Sequence, residues 1–221
     1  MLIMLVPPNS WMPFVPTPSS SQLSLATWNT RRCAPKFWFA FSVVQELSNV
    51  HMIALQDVSL HATDDLLLLF PSHHVLCHSA SPQLLFLVHD SIWPVCHLAA
   101  DRYQSSTTLV VEASGVCLVN TYLHPSSSTE TIQQYSLLLS NLLAEHSYVG
   151  VVGDLNARMA FNAADAHKNG QGNLIAHVTQ QLHLSLVPHS VPAPTFHGAF
   201  GSSIVDYIAL SRLLIDLPHS K

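Results

Sequence analysis

Short apolar runs punctuate this chain, each brief and stopped by a turn residue or a polar group. His74 to His78, Leu84 to Val88, Ile92 to Leu98, Thr107 to Glu112 and Val116 to Tyr122 follow one another closely, some of them separated by Ser81-Pro82, His89-Asp90 or Ser114-Gly115. Runs of this length bounded by turn residues read as strands. Gln22 to Trp28, His51 to Gln56, Tyr148 to Gly153 and Ser203 to Leu210 belong to the same class. Helices interrupt them at Phe37 to Asn49, Asp64 to Phe70, Ser128 to His146 and Asn173 to Leu182. Asp64 and Asp65 suit a first helical turn. Ile132, Tyr135, Leu138, Leu139 and Leu142 have helical spacing, with Thr129 as the N-cap candidate. Many short strands with interspersed helices bury their apolar faces best as two packed sheets flanked by helices, an α/β architecture. The 221 residues suffice for one domain with a sizeable core. Residues 1–20, rich in Pro and Ser, are expected to form a leader without fixed structure, and residues 21–221 the domain.

Charge narrows the function. The chain has 8 Lys+Arg against 13 Asp+Glu, a formal net charge of −5, which argues against strong nonspecific binding to nucleic acid. No apolar run approaches the roughly 18 residues of a membrane span, so no membrane partner is expected. Cys33, Cys77, Cys96 and Cys117 form no Cys-x-x-Cys pair and read as small apolar core residues, which fits a reducing compartment, nuclear or cytoplasmic. His74 and His78 have the spacing of some helical zinc pairs, but Val75-Leu76-Cys77 between them reads as strand.

Polar groups recur where apolar runs end. Asn29 follows Leu25 to Trp28, Asp57 follows Ile53 to Gln56, and Tyr122 closes Val119 to Thr121. Asp154 and Asn156 follow Val151-Val152-Gly153, and Asp206 interrupts Ser203 to Ile208. On an extended backbone Asp154 and Asn156 would share one face. A carboxylate can take a proton from water and an amide can donate to a phosphoryl oxygen, so the pair suits work on a phosphate. A capped turn is the competing structural role for the same pair.

The series Thr-Trp-Asn-Thr-Arg, Ala-Leu-Gln-Asp, Asn-Thr-Tyr-Leu-His-Pro, Gly-Asp-Leu-Asn-Ala-Arg, Pro-Thr-Phe and Ser-Ser-Ile-Val-Asp-Tyr-Ile-Ala-Leu-Ser spans residues 22–211. In order and rough spacing it resembles the endonuclease/exonuclease/phosphatase superfamily, and most closely the apurinic-type endonuclease domains of non-LTR retrotransposons. The resemblance implies a four-layer α/β sandwich, two mixed sheets face to face with helices outside. It implies hydrolysis of a DNA phosphodiester with Mg²⁺ or Mn²⁺, and a reverse transcriptase domain as partner in a longer polyprotein. By the same resemblance Asp154 is the base that activates water, and Asn156 and Tyr122 hold the phosphate. Asp57 stands at the metal-ligand position, with Asn29 near metal or phosphate. Thr195 contacts a phosphate oxygen, Arg31 is a candidate contact for the nucleic-acid backbone, and Asp206 orients a histidine.

Two departures accompany the match. The family usually has Glu where this chain has Asp57, one methylene shorter. The family also ends in Ser-Asp-His on a further strand beyond the position of Asp206, whereas this sequence stops at Lys221. The expectation is therefore a fold without that last strand, and a fragment or degenerate copy. The same fold acting on a phosphoinositide or sphingomyelin phosphodiester, and a non-catalytic remnant, both stay open on the residues alone.

Overall fold

The computed structural model describes residues 2–5, 23–30, 43–59, 63–158, 169–187, 196–198, 201–203 and 206–215. The first sheet contains β1 (Leu2–Leu5), β2 (Ser24–Asn29), β3 (Met52–Gln56), β4 (His73–Cys77) and β5 (Leu84–His89), in the order β1-β2-β3-β5-β4. The next strands are β6 (Cys96–Leu98), β7 (Thr108–Ala113), β8 (Val116–Tyr122), β9 (Val149–Asp154) and β10 (Leu184–Leu186). A hairpin of β11 (Phe196–Gly198) and β12 (Gly201–Ser203) precedes β13 (Asp206–Ser211). The second sheet runs β10-β13-β9-β8-β7-β6. Both sheets are mixed: β1-β2-β3 and β8-β9 pair in parallel, and the remaining pairs are antiparallel. The helices are α1 (Val43–Leu47), α2 (Thr63–Leu69), α3 (Thr129–Glu145), α4 (Gly170–Gln181) and α5 (Arg212–Ile215).

Three apolar clusters define four layers. Leu25, Met52, Ala54, Phe86 and Val88 of the first sheet meet Leu109, Val111, Leu118, Val152 and Ile208 of the second. Alternate residues of the same strands face outward, as strand geometry requires. Ala26, Ile53, Leu55 and Leu87 pack with Leu47 of α1 and Leu66 of α2. Val119, Val151 and Ala209 pack with Tyr135 and Leu139 of α3 and Ile175 of α4. Helix, sheet, sheet, helix is the expected four-layer α/β sandwich. Phe86 is fully buried between the sheets, and its truncation to Ala should cost about 3–5 kcal/mol.

The local elements differ from expectation in instructive places. Residues 2–5, expected to lie in an unstructured leader, form β1 in register with Leu2 opposite Ser24. An edge strand leaves a row of backbone N–H and C=O groups, and four extended residues satisfy them. The α3 cap is Ser128 rather than Thr129, because the Ser128 hydroxyl accepts from the Thr131 N–H at 3.1 Å. The run Ile92 to Leu98 is not one strand. Pro94 falls in a 3₁₀ turn over Trp93–Val95, where its missing N–H is tolerated, and β6 starts at Cys96. Of the expected helix Phe37 to Asn49, residues 43–47 are helical and 37–42 lie outside the described residues. Cys96 and Cys117 are buried, but Cys77 is exposed on β4 rather than in the core, and Cys33 lies outside the described residues. His74 is in a strand, stacked on Trp93 and bonded to Asp90 at 2.7 Å, not in a zinc pair.

Candidate active site

Strand register builds the site. In the second sheet Tyr122 of β8 lies opposite Asp154 of β9, and Asp154 lies opposite Asp206 of β13. Val152, two residues before Asp154, belongs to the inter-sheet cluster, and so does Ile208, two residues after Asp206. Period-two alternation therefore puts Tyr122, Asp154 and Asp206 in one row at the open end of the inter-sheet layer. In the first sheet Leu25 faces the same layer, and Thr27 and Asn29 follow it on that face.

The two sheets meet at this end. The Asn29 side-chain amide donates to Asp154 Oδ2 at 2.6 Å, joining residues 125 apart in the chain. Asp154 Oδ1 accepts the Asn156 backbone N–H at 2.8 Å. Asp154 is only 4% exposed, so burial of its charge must be offset, and one N–H on each oxygen does so. These two bonds also hold the orientation of the carboxylate.

Asn156 reaches the site differently from the expectation of a shared strand face. β9 ends at Asp154, and Asn156 has φ +45°, a left-handed conformation that Asn tolerates better than most residues. The Asp side chain bonds the backbone two residues on, which is an Asx turn. The Asn156 side-chain amide donates one hydrogen to the Leu123 carbonyl at 2.9 Å. The turn and the site are thus one feature, because the bond that makes the turn also orients Asp154.

Asp57 follows β3 with φ +51° and is half-buried. Thr30 ties the ends of β2 and β3 together. Its N–H donates to the Gln56 carbonyl at 2.9 Å and its hydroxyl to the Asp57 carbonyl at 3.0 Å. With Asn29 opposite Gln56 in the ladder, Asp57 lies one residue beyond the Asn29 rung. Tyr122 is half-buried and packs on the inter-sheet cluster. Thr195 and Arg31 lie outside the described residues. Among the predicted residues, the structure brings Asn29, Asp154 and the Asn156 backbone into direct contact, and places Tyr122, Asp206 and Asp57 at neighbouring strand ends.

A polar layer beneath the site escaped the sequence reading. Gln56 Nε2 donates to Asn120 Oδ1 at 2.6 Å and to Thr27 Oγ1 at 2.9 Å, bridging the sheets. Asn120 Nδ2 donates to the Leu55 and Leu85 carbonyls at 3.0 and 2.9 Å. Two carbonyl acceptors settle which end of the Asn120 amide is nitrogen, and Gln56 follows from that. All three side chains are buried. The available signal was a polar residue inside each of three apolar runs.

No protein-family model matches the sequence, and no curated protein sequence does. Solved structures do match. The endonuclease domain of TRAS1, a telomere-specific non-LTR retrotransposon, superposes with a TM-score of 0.67 at 15% identity, over 87% of this chain and 86% of that one. The chain has the endonuclease/exonuclease/phosphatase fold. A 3′ phosphatase from Neisseria, NExo, bound to a product DNA hairpin, gives a TM-score of 0.59 at 14% identity, over 85% and 86% of the two chains. A mannosyl-6-phosphatase from Bacteroides thetaiotaomicron gives 0.56 at 10% identity, over 85% of each chain. Proteins with the endonuclease/exonuclease/phosphatase fold thus include nucleases and phosphatases, and the fold alone leaves the substrate open.

Proposed function

We propose that residues 21–221 form a divalent-metal-dependent phosphodiester hydrolase domain, acting on DNA as an endonuclease of retrotransposon type. The Asn29–Asp154 bond carries this reading, because it holds a buried carboxylate at the rim where strand ends from both sheets converge. Asp154, fixed by Asn29 and by the Asn156 N–H, takes the proton from the attacking water. Asn156 commits one amide hydrogen to Leu123 and offers its second to a phosphoryl oxygen, and the Tyr122 hydroxyl donates to another. Asp206 lies across the ladder from Asp154, in the same row of strand-end residues.

The residues present fit Mg²⁺ or Mn²⁺. Asp57 and the Asn29 side-chain oxygen are hard donors, and Mg²⁺ is bound through one or two carboxylates while keeping several waters. Among the described residues no group of three or more His, Cys, Asp and Glu could hold an ion, so such a site would draw on Asp57, the Asn29 oxygen and water. Gln56 Oε1, one residue before Asp57, is buried without a hydrogen-bond donor, an acceptor of the kind that metal-bound water satisfies. Such an ion supplies positive charge to the phosphoryl oxygens as negative charge develops on them. Asp57 and Asn29 would hold it.

DNA is the proposed substrate, a reverse transcriptase domain the proposed partner, and the nucleus or cytoplasm the proposed location. The test is nicking of supercoiled plasmid with Mg²⁺, comparing the chain with Asp154→Ala. Nicking that needs both Mg²⁺ and Asp154 supports the reading; equal nicking by both proteins refutes it. The 8 Lys+Arg against 13 Asp+Glu favour a less polyanionic substrate as the second reading. Asp154-dependent release of phosphate or phosphocholine from lipid, without DNA cutting, would select it.

A further inference from the structure

The turn that orients Asp154 is held from outside by the start of α4. Asn169 caps that helix: its Oδ1 accepts the Gly172 N–H at 2.6 Å. The same oxygen accepts the Arg158 N–H at 3.0 Å, and the other end of the amide donates to the Asn156 carbonyl at 3.1 Å. One side chain thus uses an acceptor for the helix and a donor for the site turn. Gly172 permits the approach, since a Cβ there would lie 1.9 Å from the Arg158 carbonyl oxygen. Gln171 adds a bond to the Leu155 carbonyl at 2.6 Å, and the Tyr207 hydroxyl one to the Ala157 carbonyl at 2.8 Å. Every carbonyl from Leu155 to Ala157 is therefore held by a side chain from elsewhere. Asn156 needs this most, because its left-handed backbone conformation presents its N–H to Asp154.

We propose that Asn169 is a positioning residue: by holding the Asn156 carbonyl it fixes the left-handed turn whose N–H orients the Asp154 carboxylate. Its catalytic consequence rests on the hydrolase reading above; its structural consequence does not. The cap and the clamp use different ends of one amide, so a substitution can separate them. Asn169→Asp keeps the acceptor, and Asp is as good an N-cap as Asn. It loses the donor and sets a carboxylate against the Asn156 carbonyl. Asn169→Ala loses both.

The experiment uses the full chain and three readouts: thermal stability, amide hydrogen exchange at Asn156 by NMR, and Mg²⁺-dependent plasmid nicking. Asn169→Ala should lower Tm by about 2–4 °C, the usual effect of a lost cap in a domain of this size. Asn169→Asp keeps the cap and should lower Tm no more than Asn169→Ala does, yet raise Asn156 exchange by about tenfold or more and lower kcat by about 10- to 100-fold with KM little changed. A purely structural cap would leave exchange and kcat of Asn169→Asp unchanged, and that result overturns the proposal. Faster Asn156 exchange in a chain whose nicking ignores Asp154 would uphold the positioning role and sink the proposed function instead.

Discussion

Gly153, inside the Gly-Asp-Leu-Asn motif, offers a sharp test of how tightly the site is built. It sits in β9 between Thr121 of β8 and Tyr207 of β13, with φ +138°. A Cβ at this position would lie 2.0 Å from the Thr121 carbonyl oxygen and 2.9 Å from its carbonyl carbon and nitrogen. Those atoms are backbone in a paired strand, so no rotamer change relieves the clash. Gly153→Ala adds backbone strain of about 1–3 kcal/mol and overpacking of about 1–3 kcal/mol. Prying β8 from β9 to relieve the clash would forfeit a ladder bond worth about 0.5–1.5 kcal/mol. A loss near 4 kcal/mol is expected, a large part of the roughly 5–15 kcal/mol typical of a domain. Gly115 is the control: φ is +80° and a Cβ added there would meet nothing within 4 Å, so Gly115→Ala should cost about 1 kcal/mol from backbone conformation alone. Urea denaturation followed by tryptophan fluorescence gives both values. Equal losses in the two variants would refute the claim that close strand approach, rather than turn chemistry, dictates glycine before Asp154.

Two further outcomes follow from buried polar groups. His73 is 3% exposed and its Nε2 bonds the Val50 carbonyl at 2.9 Å; burial pushes its pKa down, as it does for His51, where His89 adds to the effect. Folded His73 and His51 therefore stay neutral at a pH where the unfolded chain is already protonated. Their stabilisation is complete above about pH 6.5 and is lost as pH falls through the lowered folded values. The urea midpoint should fall between about pH 7.5 and pH 5, and less steeply in His73→Phe; an equally steep fall in that variant would contradict the assignment. Asn120→Leu should cost about 2–4 kcal/mol, because the Gln56 amide and two carbonyls lose their partner inside the protein. Adding Gln56→Leu should cost much less than its effect alone, and simple additivity in urea denaturation would disprove a coupled bridge.

How far the sequence could be read depended on how local the determining physics was. The apolar run into Gly153-Asp154 and the buried positions Ile132, Tyr135, Leu139 and Leu142 of α3 were legible, because strand and helix periods act within a few residues. The start of α4 was not. Gly170 and Gly172 look like helix breakers, and only the Arg158 carbonyl packed against Gly172 explains the second. The run Ser203 to Leu210 divides between the hairpin strand β12 and β13, and β10 and β11 are three residues each, too short for a period to show. In the site, residue types at strand ends were readable. The Asn29–Asp154 contact and the Gln56–Asn120 bridge span 125 and 64 residues, and register between two sheets decides them. The relation of Asp154 to Asn156 was misjudged because extended backbone was assumed past Asp154, where the chain turns left-handed.

If Asn29 and Asp154 act as one unit across the two sheets, a double-mutant cycle on Mg²⁺-dependent plasmid nicking will register their coupling. Asn29→Ala, Asp154→Ala and the double variant are compared by initial rate, with folding of each checked by thermal denaturation. If the 2.6 Å bond positions the base, Asn29→Ala should slow the Asp154→Ala variant far less than it slows the unaltered chain, any remaining loss coming from the Asn29 oxygen at the ion. Rate losses that multiply in full, or nicking unaffected by either substitution, would show that the bond does not position the base.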